Sequence, residues 1–336
     1  MTDTDSPPSI LRSVIFRRTR VWLRGFAGNA PVCVRRLTPA PIIRPDMLPP
    51  GEGDNINGPS LIRAPEWLPN RLGNYYLYFG HHRGRHIRLA YADRLEGPWT
   101  VYSPGTLRLS ETPSCQDHIA SPDVHVDEAS REIRMYFHGP SVRHAGQMSF
   151  VATSADGIRF CPRPEELAIF YLRMLPWRGQ WIGMAKGGVM YRSPDGLSAF
   201  ERLPVAAFPL KDPEGNSPGS VRHVALQILG STLLVYFTRI GDAPESILRS
   251  FIALDAPNDS WVATTPELIL RPETSLEGAD LPRRPSKAGR AKKRENALRD
   301  PAILQEADRV FLLYAVAGES GISVAELVAR PGGSAA

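Results

Sequence analysis

Short apolar stretches of strand length alternate with turn residues along most of the chain, and this alternation repeats. GPSLI from residue 58, SPDVHV from 121 and DPAIL from 300 each predict a strand that begins at a proline. Each is followed by a turn and an aromatic-rich strand: YYLYF from 75, IRMYF from 133 and VFLLY from 310. Pro59 and Pro122 are 63 positions apart, and Pro122 and Pro301 are 179 apart, about three times 60, so the spacing predicts five units.

The two middle units are indicated by their later strands. SFVATSADGIRF from 149 and GGVMYRSPDGLSAF from 187 both end a strand on Ser-x-Asp-Gly and an aromatic residue, and Asp-Gly pairs favour tight turns. The first two strands are AIFYLRML from 168 and QWIGMAK from 180 in the third unit, and VRHVALQI from 221 and TLLVYFTRI from 232 in the fourth. One four-stranded sheet cannot bury both faces alone, so the units must stack. We therefore predict an all-β fold, a five-bladed β-propeller of four-stranded antiparallel blades.

The same pattern predicts how the chain is divided. Residues 1–50 form an N-terminal extension that is partly disordered or closes the ring, with VCVRRL from 32 as the segment that pairs with the last blade. Residues 51–330 form the propeller, with a basic loop at 273–296 inserted between the fourth and fifth blades.

The distribution of charge argues against a nucleic-acid-binding protein. The 336 residues carry a formal net charge of +5, and the excess lies in the stretch from Arg12 to Arg36 and in RRPSKAGRAKKR at 283–294. A nucleic-acid footprint should instead extend across a folded face. A protein or nucleic-acid scaffold that uses the basic loop is retained as a third, weaker hypothesis.

Cysteine content and the N-terminus bear on the compartment. Three cysteines, an odd number at unrelated spacings, indicate neither a disulfide framework nor a cysteine zinc site. ILRSVIFRRTRVWLRGF lacks the uninterrupted apolar run of a secretory signal, and no later run is long enough for a membrane span. We therefore expect a cytoplasmic protein in a reducing environment, with no membrane span.

The starts of the first strands are the candidate functional positions, because in a propeller these strands line the central channel. The polar or charged residues there are, in chain order, Asn57, His118, Asp123, Tyr171, Arg173, Arg222, His223, Arg299 and Asp300. HHRGRH at 81–86 has the composition of a metal cluster, but it lies in a predicted turn, so we interpret it as a solvent-facing hairpin and expect no metal site there.

The repeated segments resemble the five-bladed propeller glycosidases, the superfamily that includes glycoside hydrolase families 32, 43, 62, 68, 117 and 130. The resemblance extends over residues 57–327 and is carried by INGPSLI, NYYLYFG, IRLAYADRLEGPW, IASPDVHVD, SADGIRF, RSPDGLSAF and LRDPAIL. It implies hydrolysis of a glycosidic bond by two carboxyl groups that flank it. Family-43 enzymes usually take the base from a first-blade Asp-Pro and the acid from a middle-blade glutamate. Here Gly58 precedes Pro59, and the fourth blade offers Arg222 and His223, so that set is absent.

The remaining carboxylates are the predicted catalytic groups. We predict Asp123, Asp300 and Glu277 as the acidic set, with Asp280 as the next candidate. Asp300 lies in an Arg-Asp-Pro that resembles the motif that families 32 and 68 use beside the transition state, although there it occurs in an early blade. The alternatives are that an aspartate beside a proline caps a turn and that Glu277 is a solvated loop residue.

The other polar candidates are predicted to bind substrate: Asn57, His118, His138, Arg173, Arg222, His223, Arg299 and Asp280. Arginines can hold a uronate or sulfate through paired hydrogen bonds, and histidines can exchange protons near neutral pH. The alternatives are that the arginines pair with the aspartates and that the histidines only donate and accept hydrogen bonds within the fold.

Two functional hypotheses follow. The first is a glycoside hydrolase that cleaves an oligosaccharide, an acidic or sulfated one included, at the channel mouth; the second is a non-catalytic carbohydrate-binding propeller. Two carboxyl groups about 5–10 Å apart across one pocket favour catalysis, whereas carboxylates already paired with arginine or histidine favour binding. No cofactor is predicted, although the resemblance leaves open a calcium ion in the channel, and the oligomeric state is undetermined.

Overall fold

The computed structural model describes residues 32–208 and 220–329, which form five antiparallel sheets around a central axis. This confirms the predicted all-β, five-bladed propeller. The basic stretch that begins at Arg12 lies outside the described residues up to residue 31. No helix in the described part of the chain is long and apolar enough to cross a membrane.

Each blade begins with its inner strand and steps outward. In the first blade the strands are β2 (Asn57–Arg63), β3 (Tyr75–Gly80), β4 (Arg88–Ala92) and β5 (Thr100–Tyr102). In the second they are β6 (Ala120–Asp127), β7 (Glu132–Pro140) and β8 (Gln147–Ser154), with the short strands β9 (Cys161–Pro162) and β10 (Ala168–Ile169) both paired to β8. In the third they are β11 (Arg173–Trp177), β12 (Gln180–Ala185), β13 (Val189–Ser193) and β14 (Glu201–Ala206).

The last two blades complete the ring. The fourth contains β15 (Ser220–Leu229), β16 (Thr232–Ile240), β17 (Ile247–Ala253) and β18 (Glu267–Leu270). The fifth contains β19 (Arg299–Glu306), β20 (Arg309–Ala315), β21 (Ile322–Ala329) and, at its outer edge, β1 (Val32–Arg36). Within the described residues, five short 3-10 helices lie in connections: Pro45–Met47, Leu109–Glu111, Lys186–Gly188, Asn258–Ser260 and Ser275–Glu277.

The ring closes because the first and last described strands share a sheet. β1 runs antiparallel to β21, with Val32 opposite Ala329 and Arg36 opposite Ala325. Beyond the strand pairing, Arg36 donates to Glu277 through Nε at 2.7 Å and through Nη2 at 2.9 Å. This double hydrogen bond ties β1 to the connection that precedes the fifth blade.

The aromatic second strands fill the space between blades. Tyr78 in β3 donates to the carbonyl of Gly157 in the second blade, and Tyr136 in β7 donates to the carbonyl of Gly196 in the third, both at 2.7 Å. Both glycines adopt positive φ, 72° and 73°, and a Cβ on either would lie within about 3 Å of the tyrosine hydroxyl. The repeated Ser-x-Asp-Gly is therefore a turn that receives the tyrosine of the preceding blade.

Candidate functional site

Four of the five inner strands carry a β-bulge near their start, whereas β11 of the third blade pairs with β12 in unbroken register. Between Asn57 and Ser60 the strand advances three residues while its partner advances two, and the same shift occurs between Ala120 and Asp123 and between Arg299 and Ala302. The fourth blade shifts likewise between its Val221 and Val224. The prolines of the repeat, Pro59, Pro122 and Pro301, all lie inside these bulges, where no ladder N–H is required.

The residue before each of these prolines has a left-handed backbone. The φ angles are 56° for Gly58, 50° for Ser121 and 50° for Asp300. Tyr171 occupies the corresponding place in the third blade with φ 63°. Non-glycine residues in this region are strained, and such strain is often found at functional sites.

The bulges separate an upper cavity, where the inner strands begin, from a lower cavity, where they run towards their ends. The upper cavity has a volume of about 10 Å³, room for roughly one water molecule. Its polar lining is Asn57, Ser121, Gln147, Tyr171 and the four histidines His82, His118, His138 and His223. The lower cavity has a volume of about 620 Å³ and includes Asp123 and Arg173.

The two strand-start aspartates do not share a cavity wall. Asp300 precedes its proline and contacts His223 of the upper cavity, whereas Asp123 follows its proline and lines the lower cavity. The repeat of the prolines predicts both aspartates at one mouth of the central channel. The two positions differ, because an aspartate before the proline and an aspartate after it lie on opposite sides of the bulge.

Asp300 is buried and held by the blades on both sides. Its Oδ1 contacts Nδ1 of His223 from the fourth blade, and its Oδ2 accepts a hydrogen bond from the Gly58 amide of the first blade at 3.2 Å. Burial raises the pKa of Asp300, but His223, Arg222 and Arg299 outweigh it and hold that pKa well below its usual value. Asp300 is therefore an ionised carboxylate at neutral pH.

The histidines of the upper cavity form a chain of ring contacts. Tyr171 lies between His223, with ring centroids 4.1 Å apart, and His138, at 4.6 Å, and His118 lies 6.4 Å from His138. Burial and the neighbouring histidines lower the pKa of His138 far below its usual value, and burial lowers that of His82. His138 Nδ1 is buried without a hydrogen-bond partner in the described structure.

His82 corrects the interpretation of HHRGRH as a solvent-facing hairpin. This turn joins β3 to β4 on the upper face, and His82 lines the cavity with its Nδ1 3.7 Å from Glu319 Oε2. Within this turn, only the exposed Arg83 and Arg85 fit a solvent-facing hairpin. A turn between the second and third strands lies next to the channel in a propeller, so the position of HHRGRH between these strands is the sequence signal that points to His82.

The upper cavity does not suit calcium. Its wall presents imidazoles, whereas calcium prefers several carboxylate and carbonyl oxygens. Among the described residues, no group of three or more histidines, cysteines, aspartates or glutamates is spaced to hold a metal ion.

The arginines behind the cavity are engaged within the fold. Arg299 donates through Nε to Glu245 at 2.8 Å, through Nη1 to Glu319 at 3.3 Å and through Nη2 to Glu295 at 2.6 Å. Arg222 Nε lies 2.9 Å from Glu245 Oε1. Asn57 donates to Glu319 Oε2 at 3.3 Å. The sequence carries no signal for Glu319, which lies in a short turn with no motif.

In the lower cavity, Asp123 is a half-buried acidic group. Its Oδ2 lies 2.9 Å from His125 Nε2 and accepts from the Met174 amide at 2.9 Å, while Arg173 Nη1 lies 3.6 Å from Oδ1. Burial raises the pKa of Asp123, but His125 and Arg173 outweigh it and lower that pKa. Most of the remaining wall is apolar, and its other carboxylates, Glu66 and Glu128, are solvent-exposed.

The loop carboxylates lie outside both cavities. Glu277 is buried, receives Arg36 as described above, and accepts from the Tyr314 hydroxyl at 3.0 Å. Burial raises the pKa of Glu277, but the hydrogen bond from Arg36 helps to lower it overall. Asp280 is exposed and lines neither cavity. The geometry therefore gives Glu277 a structural contact that closes the ring.

Solved structures share this fold. A GH43 β-xylosidase/α-arabinofuranosidase, CoXyl43, from a compost microbial metagenome and in complex with xylotriose, aligns with TM-score 0.60 and 12% identity over 90% of this chain and 97% of its own. A GH43_1 enzyme from Xanthomonas citri complexed with xylose aligns with TM-score 0.56 and 11% identity over 92% of each chain.

A structure from the GH130 family of mannoside phosphorylases, which contains glycoside hydrolases that target β-1,2 mannosidic linkages in Candida mannan, gives TM-score 0.61 and 10% identity over 89% of this chain and 96% of its own. At these identities the likeness establishes the fold alone: this is the five-bladed propeller of the GH43 and GH130 glycoside hydrolases.

Sequence similarity then places the chain in a family. It is 38% identical over 299 residues to Uncharacterized protein R118 of Acanthamoeba polyphaga mimivirus. The alignment covers 81% of this chain and 83% of the viral protein. The chain therefore belongs to the same family as this viral protein. No protein-family model matches it.

Proposed function

We propose that the protein is a glycoside hydrolase that acts at the upper cavity, with Asp300 as its reacting carboxylate. The observation that carries this proposal is the position of Asp300. It is a buried, ionised aspartate on a strained bulge, in contact with His223 of the cavity wall. A residue perturbed in this way at the convergence of inner strands is a candidate for chemistry.

Hydrolysis needs a base for water and a proton for the leaving oxygen. Asp300 supplies the carboxylate that takes a proton from the attacking water or attacks the anomeric carbon. The proton for the leaving oxygen comes from His118 or His223 of the cavity wall, because the lowered pKa values of His82 and His138 disfavour their protonated forms.

The volume of the upper cavity sets a condition on this proposal. About 10 Å³ does not admit a sugar ring, so substrate binding requires the connections of the upper face to open, as active-site loops do in many enzymes. Displacement of the 81–86 turn, which carries His82 of the cavity lining, would widen the cavity.

Non-catalytic carbohydrate binding is the second candidate, and the pairing of the carboxylates favours it. Asp300 is bound by His223, Glu319 by Arg299, and Glu245 by both Arg299 and Arg222. No pair of free carboxylates faces across the upper cavity in the described part of the chain. In this case the protein would bind an oligosaccharide and release no product.

The two candidates are separated by measuring products and binding on one panel of oligosaccharides, including xylo-oligosaccharides and β-1,2-mannosides. On a cleaved substrate, we expect Asp300→Asn to lower kcat by about a hundredfold or more. Asp123→Asn is the matched control, because Asp123 is also bound by histidine and arginine but lines the other cavity. Thermal unfolding establishes that both variants are folded. Full activity in a folded Asp300→Asn variant refutes the assignment, and binding without products selects the second candidate.

A further inference from the structure

The segment of the basic loop that carries its positive charge, residues 283–294, is held over the upper face by hydrogen bonds. Arg222 donates to the backbone carbonyls of Lys287 and Gly289. Ser286 donates its amide to the Asp242 carbonyl at 3.0 Å and accepts from the Gly241 amide at 3.1 Å. The loop is thus held against the inner strand and the second turn of the fourth blade.

The loop also packs against a turn that contacts the upper cavity. A Cβ built on Gly318, in the turn between β20 and β21, would lie 2.9 Å from Ala291 Cβ of the loop. Glu319, the next residue, accepts a hydrogen bond from Asn57 of the cavity lining, and its Oε2 lies 3.7 Å from His82 Nδ1. The loop therefore extends from the fourth blade to the fifth, along the edge of the candidate site.

The cations of this loop are exposed and not neutralised within the described structure. Its sequence, RRPSKAGRAKKR, contains no acidic residue. Its seven cationic side chains form no ion pair with a described carboxylate, and all seven are exposed: Arg283, Arg284, Lys287, Arg290, Lys292, Lys293 and Arg294, of which Arg294 donates to the Ser275 carbonyl. Arg83 and Arg85 of the 81–86 turn are also exposed, and they add to the effect of the His118 hydrogen bond in lowering the pKa of Asp117.

We propose that this cationic border selects an anionic carbohydrate, one that carries uronate carboxylates or sulfate esters, as the ligand of the upper cavity. The proposal rests on the proposed function for the location of the sugar and adds the class of ligand. Unpaired cations beside a site raise the local concentration of an anionic ligand and hold its charged groups. A nucleic acid is a poorer fit, because the loop has no aromatic residue on which a base could stack.

The test measures binding of the full-length protein by calorimetry to four probes. Hexagalacturonate is compared with its methyl ester, and sulfated isomaltohexaose with isomaltohexaose. These two arms distinguish carboxylate from sulfate. We expect an anionic probe to bind about tenfold or more tightly than its neutral counterpart, and raising NaCl from about 50 to about 500 mM should remove most of that difference.

A charge-neutralised loop provides the second measurement. Four substitutions are combined in the loop variant: Lys287→Gln, Arg290→Gln, Lys292→Gln and Lys293→Gln. The control variant removes four exposed cations from turns and strand starts remote from the upper face: Arg71→Gln, Arg94→Gln, Arg131→Gln and Arg202→Gln. We expect the loop variant to weaken anionic binding about tenfold and the control to change it less than about twofold.

Equal binding of charged and neutral probes, no binding of any anionic probe, or equal effects of the two variants would each overturn the proposal. Tighter binding of a single-stranded oligonucleotide than of every glycan would also overturn it, in favour of a nucleic-acid partner. Absence of hydrolysis with retained anionic binding contradicts only the proposed enzymatic activity, so the two proposals fail separately.

Discussion

Gly58 stands where a family-43 enzyme would carry an aspartate, and the structure gives a steric reason that substitution can test. A Cβ at Gly58 would lie 3.1 Å from Ser121 Cα and 3.4 Å from Ser121 Oγ in the second blade. The φ of 56° adds a conformational cost for any side chain. We predict that Gly58→Ala destabilises the propeller.

The two contributions can be separated with a matched glycine. Gly230, in the turn between β15 and β16, has φ 61° and no atom within 4 Å of a Cβ built on it. The left-handed backbone costs an alanine about 1–2 kcal/mol, and the stiffer unfolded chain returns about 0.4–1 kcal/mol. Both substitutions share this net cost of about 1 kcal/mol. Only Gly58→Ala adds overpacking against backbone, about 1–3 kcal/mol more.

The assay is urea unfolding of both variants, followed by tryptophan fluorescence and circular dichroism. We expect a lower midpoint for Gly58→Ala than for Gly230→Ala, with unchanged slope. Gly58→Asp should be more destabilised still, because its carboxylate would also approach Asp300, and it should gain no hydrolytic activity. Equal stabilities of the two alanine variants within about 0.5 kcal/mol would refute the steric explanation.

Two further outcomes follow from the buried charges. Glu277→Gln should cost about 2–4 kcal/mol, because it removes the buried carboxylate that pairs with Arg36 and leaves only the exposed Glu273 as an ionic partner, but it should not change kcat; Asp280→Asn, at an exposed loop position, should change neither. The lowered pKa of His138 means that the folded state binds fewer protons than the unfolded state, so stability is complete above about pH 6.5 and falls below it by up to about 1.4 kcal/mol per pH unit. Between pH 7.5 and 5, the free energy of unfolding should fall less for His138→Gln than for the parent protein. The exposed His144→Gln is the control. If His138→Gln left this pH dependence unchanged and His144→Gln reduced it, the prediction would be contradicted.

The candidate site was only partly accessible from the sequence. The strand starts were found because prolines and aromatic runs repeat, and Asp300, His118, His138 and His223 all lie at or beside the upper cavity. The bulge was not visible, since it depends on how an inner strand pairs with its neighbour. That one extra residue is why Asp123 and Asp300, which look equivalent beside their prolines, belong to different cavities.

The sequence alone was enough for the architecture, because its signals are local. Strand length, Asp-Gly turns and the 60-residue period each depend on neighbouring residues, and stacking of the blades follows from their uncovered faces. Tertiary structure decided which charges remain free. Arg36 and Glu277 are 241 residues apart, and Arg299 and Glu245 are 54 apart, yet each pair is in contact. Pairing of charges depends on such distances in space, so only the fold showed that the arginines near the channel are neutralised while those of the basic loop are not.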